Sequence, residues 1–235
     1  LEVSEVGFGS WLTLGSSIDA LVDFTPELRA RALDLLEPFE IGPIFTPPVL
    51  YDPSEGGTKG NLGRPGTWGS GNWHPGAFDP LTGYYYAVSH QLPDVYSIMK
   101  PSSDEATMEY AGDWNEETNV PRIEGLPIFK PPYGRITAID MNTGDHAWMV
   151  PLGDGDRYRN HPLLRDLNLP PLGGGGGITS GPLVTPTLLI MNHGGRDYEE
   201  TAASSRTISA YDKDTGEHLG SVDLPAPPGG NPTTY

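Results

Sequence analysis

The residues with the clearest capacity for binding chemistry lie in one short segment, residues 69–76, which reads GSGNWHPG. Its glycines let the backbone approach a ligand closely. Asn72 offers both donors and an acceptor, and Trp73 offers a flat apolar face. This combination suits a planar cofactor with polar edges. A tryptophan packed beside a tight turn has the same composition, so the segment alone leaves both interpretations open.

Several other kinds of site are excluded by residue type or spacing. The chain has no cysteine, which excludes disulfides, thiolate metal sites and cysteine nucleophiles. Its six histidines are scattered, and no two of them have metal-ligand spacing. The glycine run at residues 173–177 lacks the Lys-Ser/Thr that a phosphate-binding loop requires. We therefore predict no metal ligand in this chain, and the catalytic residue stays unknown.

Charge and composition restrict the partners and the fold class. The net charge of −17 gives an acidic surface that repels nucleic acid. No apolar run reaches the roughly 18 residues of a membrane span, and the first residues do not resemble a signal peptide. Five Trp and eleven Tyr favour a packed core, while 31 Gly and 25 Pro indicate many loops. The composition is typical of short strands joined by long loops.

One helix is predicted near the N-terminus. Thr25 can cap it, and Pro26 occupies the first helical position. An apolar stripe then follows at helical spacing, formed by Leu28, Ala32, Leu35 and Leu36. Pro38 ends the helix, which we interpret as a packing element of a β domain.

A seven-residue turn pattern occurs three times beyond this helix. It reads AFDPLTG at residues 77–83, AIDMNTG at 138–144 and AYDKDTG at 210–216. In each copy the Asp can accept backbone N–H groups ahead of it, and the Gly can adopt the left-handed conformation that closes a hairpin. Strand-like residues flank each turn. The pattern predicts an all-β fold of repeating four-stranded units, a β-propeller, with three unrelated hairpins as the alternative.

Seven stretches resemble one known family, the pyrroloquinoline-quinone (PQQ) dependent dehydrogenases, nearest the glucose, quinate and polyol branch. The resemblance covers residues 18–235 in the family's own order. The stretches are DFTPELR at residues 23–29, IGPIFTPP at 41–48, GTKG at 57–60, NWHPGAFDP at 72–80, KPPYGRITA at 130–138, GPLVT at 181–185 and GNPTTY at 230–235.

The resemblance implies an eight-bladed propeller with PQQ on its axis, of which this chain supplies about four blades. It places Asn72 and Trp73 in the PQQ pocket, with Thr58, Lys59 and Lys130 as further cofactor-binding candidates. In the family a Ca²⁺ ion polarises the quinone, and an Asp takes the substrate proton as hydride moves to the quinone. Both the metal ligands and this Asp are expected outside this chain.

The implied function is that of a portion of a dehydrogenase that oxidises a sugar, a polyol or another alcohol. Electrons would pass to a quinone or cytochrome acceptor in the periplasm. The chain by itself is expected to be inactive, because the catalytic base and metal ligands lie elsewhere. The alternative is a non-catalytic, propeller-like binding fragment that lacks them.

Residues 1–17 are predicted to be an N-terminal extension of uncertain origin. The stretch LEVSEVGFGSW at residues 1–11 resembles the opening strands of aldo-keto reductases. That resemblance raises a third hypothesis, an NADPH-dependent reductase. A barrel of that family requires alternating strands and helices, a pattern that the rest of this chain does not have.

Overall fold

The computed structural model describes most of the chain. The described residues are 15–52, 54–66, 69–71, 76–101, 103, 105–113, 119–174, 181–192, 206–226, 228 and 230–234. Residues 1–14, which carry the aldo-keto reductase resemblance and most of the predicted extension, lie outside them. The predicted boundary at residue 17 therefore stays a prediction.

Strands outnumber helices among the described residues. The two α-helices are α1 (Pro26–Leu36) and α2 (Asp156–Arg159), and short 3₁₀ helices occupy Ile18–Ala20 and Arg165–Leu167. The strands are β1 (Asn61–Gly63), β2 (Ala77–Asp79), β3 (Tyr84–His90), β4 (Asp94–Met99), β5 (Ala111–Asp113), β6 (Arg122–Ile123), β7 (Leu126–Pro127), β8 (Gly134–Asp140), β9 (His146–Pro151), β10 (Leu183–Val184), β11 (Leu188–Asn192), β12 (Thr207–Asp212) and β13 (His218–Asp223).

The contacts between residues divide the chain into two compact units. The first unit contains residues 70–91 and 131–235. The second unit contains residues 9–69, which precede β2, and residues 92–130, which form an insertion between β3 and β8 of the first unit.

The second unit contains the predicted helix. The Thr25 hydroxyl accepts the Leu28 N–H at 3.2 Å, and Pro26 begins α1. Leu28, Ala32 and Leu36 are its buried residues. The helix is thus confirmed as an amphipathic packing element. The same unit has an antiparallel sheet of order β1-β4-β5 and a small β6-β7 hairpin.

The first unit contains two four-stranded antiparallel sheets. Sheet 1 has the order β2-β3-β8-β9, and sheet 2 has the order β10-β11-β12-β13. Each sheet is built from strands that follow one another in space as they do along the chain. This is the architecture of propeller blades, and the predicted all-β class is confirmed.

All three turns of the repeated pattern close hairpins, as predicted. The Gly144 N–H donates to the Asp140 carbonyl at 2.7 Å, and the Gly216 N–H donates to the Asp212 carbonyl at 2.9 Å. Both glycines have positive φ, +82° and +75° respectively. An Asp carboxylate caps each turn, as in the Asn142 N–H bond to Asp140 Oδ1 at 2.8 Å.

The turns do not, however, mark one blade each. The turn after Asp79 joins the first two strands of sheet 1, and the turn after Asp140 joins the last two strands of the same sheet. The turn after Asp212 joins the last two strands of sheet 2. The insertion of residues 92–130 lengthens the path between β3 and β8, so the spacing of the first two copies reflects the insertion and not a blade period.

The last two strands of the two sheets are structural repeats of each other. A register shift occurs at Ala138/Ile139 in sheet 1 and at Ala210/Tyr211 in sheet 2. Both shifts follow the alanine that opens the turn pattern. Because both sheets have this irregularity, Ala138 and Ala210 are equivalent positions. Every other residue of sheet 1 can then be matched to its counterpart in sheet 2.

The core of the first unit lies between the two sheets. Tyr86, Ile136 and Ala138 of sheet 1 and Leu189, Met191 and Tyr211 of sheet 2 are buried in one cluster. Two side chains of sheet 1 also form hydrogen bonds to one carbonyl oxygen in the last turn of sheet 2. The Tyr86 hydroxyl and the Trp148 indole N–H both donate to the Lys213 carbonyl, each at 3.1 Å.

A buried ion pair also joins the two sheets. The Lys213 ammonium contacts the Asp79 carboxylate, and both side chains are 5% exposed. Burial by itself raises the pKa of Asp79. The bonds from Lys213, the Leu81 N–H and the Thr82 hydroxyl, with the charge of Lys213, outweigh burial and hold that pKa below its usual value. Asp79 therefore stays ionised at neutral pH.

Two glycines of the turn pattern provide a matched test of sheet docking. A Cβ on Gly216 would lie 2.7 Å from the Trp148 ring, whereas a Cβ on Gly144 would meet no atom within 4 Å. Both substitutions to Ala strain a left-handed backbone, at a cost of about 1–2 kcal/mol. We expect Gly216→Ala to lower the free energy of unfolding by about 1–3 kcal/mol more than Gly144→Ala does, because it also pushes Trp148 away from sheet 2.

The measurement is the free energy of unfolding of both variants in the full-length protein. Equal losses for Gly144→Ala and Gly216→Ala would contradict the packing of Trp148 against this turn.

Candidate functional site

The candidate site begins where the chain enters sheet 1. The His90 N–H donates to the Ser70 carbonyl at 2.8 Å, and the Ser70 hydroxyl donates to the His90 carbonyl, also at 2.8 Å. Ser70 is 2% exposed and His90 is 1% exposed, so water does not compete for these bonds. This pair attaches the chain to the end of β3 two residues before Asn72.

A second attachment follows on the other side of the segment. The Gly76 N–H donates to the Tyr85 hydroxyl at 3.2 Å. A Cβ on Gly76 would collide with the Tyr85 side chain and with the Tyr86 carbonyl, so a glycine is required for the backbone to lie this close to β3. Ala77 then pairs with Tyr86 in the regular ladder of β2 and β3.

The chain between the two attachments is longer than a paired strand would be. Seven residue steps separate Ser70 from Ala77, whereas four steps separate their partners His90 and Tyr86. Three residues beyond those that pairing with β3 uses are therefore available to this segment.

A buried cation lies at the same end of sheet 1. Arg135, on β8, is 2% exposed and lies opposite Ser89 in the ladder. Its Nε–H donates to the Ser89 hydroxyl at 3.1 Å. A guanidinium has five N–H donors, and Ser89 accepts one of those of Arg135. It brings a positive charge to the end of the sheet that the candidate segment joins.

The neighbouring Gly134 allows close backbone contact with the glycine run. Gly173 and Gly174 lie directly against Gly134 at the start of β8. A Cβ on Gly134 would collide with the Gly174 carbonyl. The Gly174 N–H donates to the Leu152 carbonyl at 2.8 Å, and the Tyr133 N–H donates to the Leu172 carbonyl at 2.9 Å. The first two glycines of the run thus pack against sheet 1; residues 175–177 lie outside the described part of the chain.

The predicted site residues fall into two groups. Asn72 and Trp73 lie outside the described residues, and their nearest described neighbours along the chain are Gly71 and Gly76. Thr58, Lys59 and Lys130 belong to the second unit.

These three candidates have structural contacts of their own. The Thr58 hydroxyl accepts the Gly60 N–H at 3.3 Å, and the Lys59 N–H donates to the Pro38 carbonyl at 2.7 Å. The Lys130 ammonium lies 2.6 Å from the Asp23 carboxylate, with 37% of the lysine side chain exposed. The charge of Lys130 is thus engaged in a partly exposed ion pair.

Sequence reasoning missed Ser70, Tyr85, His90 and Arg135. Arg135 had a detectable signal, because it is the one charged residue before Asp140 in the strand GRITAID. Ser70 lies in the segment that the sequence singles out. Nothing local distinguishes His90 or Tyr85, since their burial and contacts depend on residues distant along the chain.

The described part of the chain contains no group of three or more His, Asp or Glu side chains arranged to hold a metal ion. Within the same residues, no helix has the length and apolar character needed to cross a bilayer.

The comparisons with known proteins agree with this architecture. Residues 12–235 match the PQQ family model described as "Glucose/ethanol/alcohol dehydrogenase, beta-propeller domain". This match, together with the four-stranded antiparallel sheets, places the chain in the class of β-propeller proteins. The chain belongs to the PQQ-dependent dehydrogenase family, as its sequence motifs predicted, and PQQ is the cofactor of that family.

Relatives of known function cover most of this chain. The quinate/shikimate dehydrogenase (quinone) of Acinetobacter baylyi is 26% identical over 200 residues, which cover 76% of this chain and 23% of the relative. The glycerol dehydrogenase large subunit of Gluconobacter oxydans is 28% identical over 226 residues, which cover 81% of this chain and 26% of the relative. This chain thus spans about a quarter of the length of these relatives.

Solved structures give a more distant similarity. A quinohemoprotein alcohol dehydrogenase from Pseudomonas putida has a TM-score of 0.44 and 19% identity, covering 74% of this chain and 22% of its own. The quinohemoprotein alcohol dehydrogenase of Comamonas testosteroni has a TM-score of 0.43 and 20% identity, covering 82% and 26%.

The buried His90 predicts a loss of stability in mild acid. Burial lowers the pKa of His90 from 6.5 to about 4. Below pH 6.5 the unfolded chain protonates this histidine while the folded chain does not, so stability falls as the pH drops towards 4. The total loss from this group is about 3 kcal/mol.

Unfolding of the full-length protein at several pH values between 7 and 4 checks this expectation. We expect His90→Gln to flatten the acid slope, and His146→Gln, an exposed histidine on β9, to retain it. An unchanged slope in His90→Gln would contradict the assignment.

Proposed function

We propose that this chain is a portion of a PQQ-dependent dehydrogenase that oxidises a sugar, a polyol or another alcohol. Hydride passes from the substrate to the quinone, and electrons continue to a quinone or cytochrome acceptor. The match of residues 12–235 to the family model is the observation that carries the proposal. The cofactor supplies the electron sink, and the protein binds it, orients it and supplies the base.

Asn72 and Trp73 are the primary PQQ-binding residues in this proposal. The indole of Trp73 provides a face for the planar ring system, and the amide of Asn72 bonds to its polar edge. The three residues of extra length between Ser70 and Ala77 support this assignment, because they allow the segment to leave the strand ladder. Thr58, Lys59 and Lys130 are secondary candidates.

The donor set at the end of sheet 1 fits a quinone that carries carboxylates. Arg135 provides a buried positive charge, and Ser89, opposite it in the ladder, provides a hydroxyl group. An anion gains most from a cation that is shielded from water. His90 remains neutral at pH 7, because burial lowers its pKa to about 4.

The catalytic Asp and the ligands of a Ca²⁺ ion belong, in this proposal, to the part of the protein outside this chain. The whole protein acts in the periplasm. These assignments extend the family's division of labour to a chain that spans about a quarter of its relatives' length.

The proposal also includes a closed ring of blades. Sheet 1 packs on sheet 2 through one of its faces. The equivalent face of sheet 2 is the outer one, which is turned away from sheet 1. Its apolar members are Leu183, Ile190, Ile208, Ala210 and Val222. Their sheet 1 counterparts are Ala77, Tyr86, Ile136, Ala138 and Val150. Because equivalent faces favour equivalent partners, a further four-stranded sheet covers this face in the full-length protein.

Enzyme activity tests the first part of the proposal. The full-length protein, loaded with PQQ and Ca²⁺, is expected to reduce an artificial dye when a sugar or polyol is added. We expect Trp73→Ala to weaken PQQ binding about tenfold, because the stacking face is lost. Protein without PQQ is the control. Absence of turnover with every sugar and alcohol tested would favour the non-catalytic binding fragment.

Thiol labelling tests the ring. This chain has no cysteine, so an introduced one is a unique probe within it. Val222 is 64% exposed on sheet 2, and Leu81 is 77% exposed in a turn of sheet 1. In the full-length protein we expect Val222→Cys to react at least about tenfold more slowly than Leu81→Cys, because a neighbouring blade protects it. Equal reaction rates would contradict a closed ring.

A further inference from the structure

We call residues 71–75, which contain Asn72 and Trp73, the cofactor segment. A hydroxyl group attaches the chain to β3 on each side of this segment. Ser70 bonds to the carbonyl of His90 at the end of the strand, and Tyr85 accepts the N–H of Gly76 near its beginning. We infer that Ser70 and Tyr85 are positioning residues for PQQ binding. This inference rests on the proposed function, since it acts through the segment that carries Asn72 and Trp73.

The Ser70 bond is sheltered from solvent and closes a small ring with the backbone. Ser70 and His90 exchange two hydrogen bonds, one through the Ser70 hydroxyl and one between backbone groups. Ser70 is only 2% exposed, so the bond is shielded from bulk water. The neighbouring Gly71 is held close as well, because a Cβ there would lie 3.3 Å from the Val88 carbonyl oxygen.

The Tyr85 bond uses the face of β3 that is turned away from the inter-sheet core. Side chains alternate along a strand, so Tyr85 and the core residue Tyr86 lie on opposite faces. The Tyr85 ring occupies the space that a side chain at position 76 would need. Tyr85 thus supports the backbone of Gly76 by contact and by its hydroxyl group, and it has no part in docking sheet 2.

Anchoring both ends of a segment reduces the conformations that a ligand must select. Seven residue steps join Ser70 to Ala77, whereas their partners on β3 are four steps apart. The bond at one end of the segment therefore does not set the position of the other end. Loss of one anchor increases the conformational entropy that the protein must lose when the cofactor binds, which weakens the affinity. The expected effect is the loss of about one hydrogen bond, which corresponds to a fivefold to tenfold weaker PQQ affinity.

The chain provides a matched control for each anchor. The Gly153 N–H donates to the Tyr211 hydroxyl at 3.3 Å, which is the same type of bond as that between Gly76 and Tyr85. Ser209 is 1% exposed, and its hydroxyl pairs with that of Ser221 at 2.6 Å in sheet 2. Tyr211→Phe and Ser209→Ala therefore remove comparable bonds at places that do not attach the cofactor segment.

The experiment is an equilibrium titration of the apo full-length protein with PQQ in the presence of Ca²⁺. Quenching of protein fluorescence gives the Kd, and thermal unfolding of the apo protein gives the Tm. The variants are Ser70→Ala, Tyr85→Phe, the two controls and Trp73→Ala as a test of the proposed site. We expect both anchor variants to raise the Kd fivefold to tenfold, while the controls keep it within about twofold at a similar change in Tm.

Each remaining outcome has one meaning. If Trp73→Ala weakens binding and the anchor variants do not, the inference is overturned and the proposed site stands. If the controls weaken binding as much as the anchor variants do, the effect is a general loss of stability and the inference is overturned. If Trp73→Ala leaves the Kd unchanged, the proposed site itself is wrong, and the inference fails with it.

Discussion

A lysine buried between two β-sheets requires a negative partner, and in the first unit of this chain Lys213 has Asp79. Each side chain is only 5% exposed, so each charge depends mainly on the other for the stabilisation that water would otherwise give. The pair is satisfied only when the first turn of sheet 1 lies against the last turn of sheet 2. This requirement selects one way of docking the two sheets, whereas apolar contacts alone would tolerate small shifts.

The same turn of sheet 2 receives two further bonds from sheet 1. Tyr86 and Trp148 both donate to the Lys213 carbonyl, and Gly216 leaves room for the indole. Burial raises the pKa of the Tyr86 hydroxyl to about 12, so it remains a donor throughout the physiological range. Charge, hydrogen bonding and shape thus coincide at one hairpin turn. This concentration of contacts lies at the end of sheet 1 opposite the candidate site.

The candidate site lies at the end of sheet 1 where β3 finishes and β8 begins. Ser89, His90 and Arg135 are buried there, and the glycine run contacts Gly134. Polar groups are costly to bury, so their concentration at one end contrasts with the apolar centre of the same sheet. Ser70 connects this end of the sheet to the segment that the family resemblance links with PQQ, and Tyr85, near the beginning of β3, contacts the chain on the other side of that segment.

The amino-acid sequence by itself determined the local elements and the family. Thr25 and Pro26 start α1 because capping depends on neighbours within one turn, and each Asp-to-Gly pattern closes a hairpin for the same reason. Only the tertiary structure decided that two of the three turns share a sheet, since residues 92–130 of the second unit separate them along the chain. It also decided the pairing of Asp79 with Lys213, 134 residues apart, and the burial of His90 and Arg135. Such contacts depend on which strands become neighbours, a long-range property that no local pattern of residues encodes.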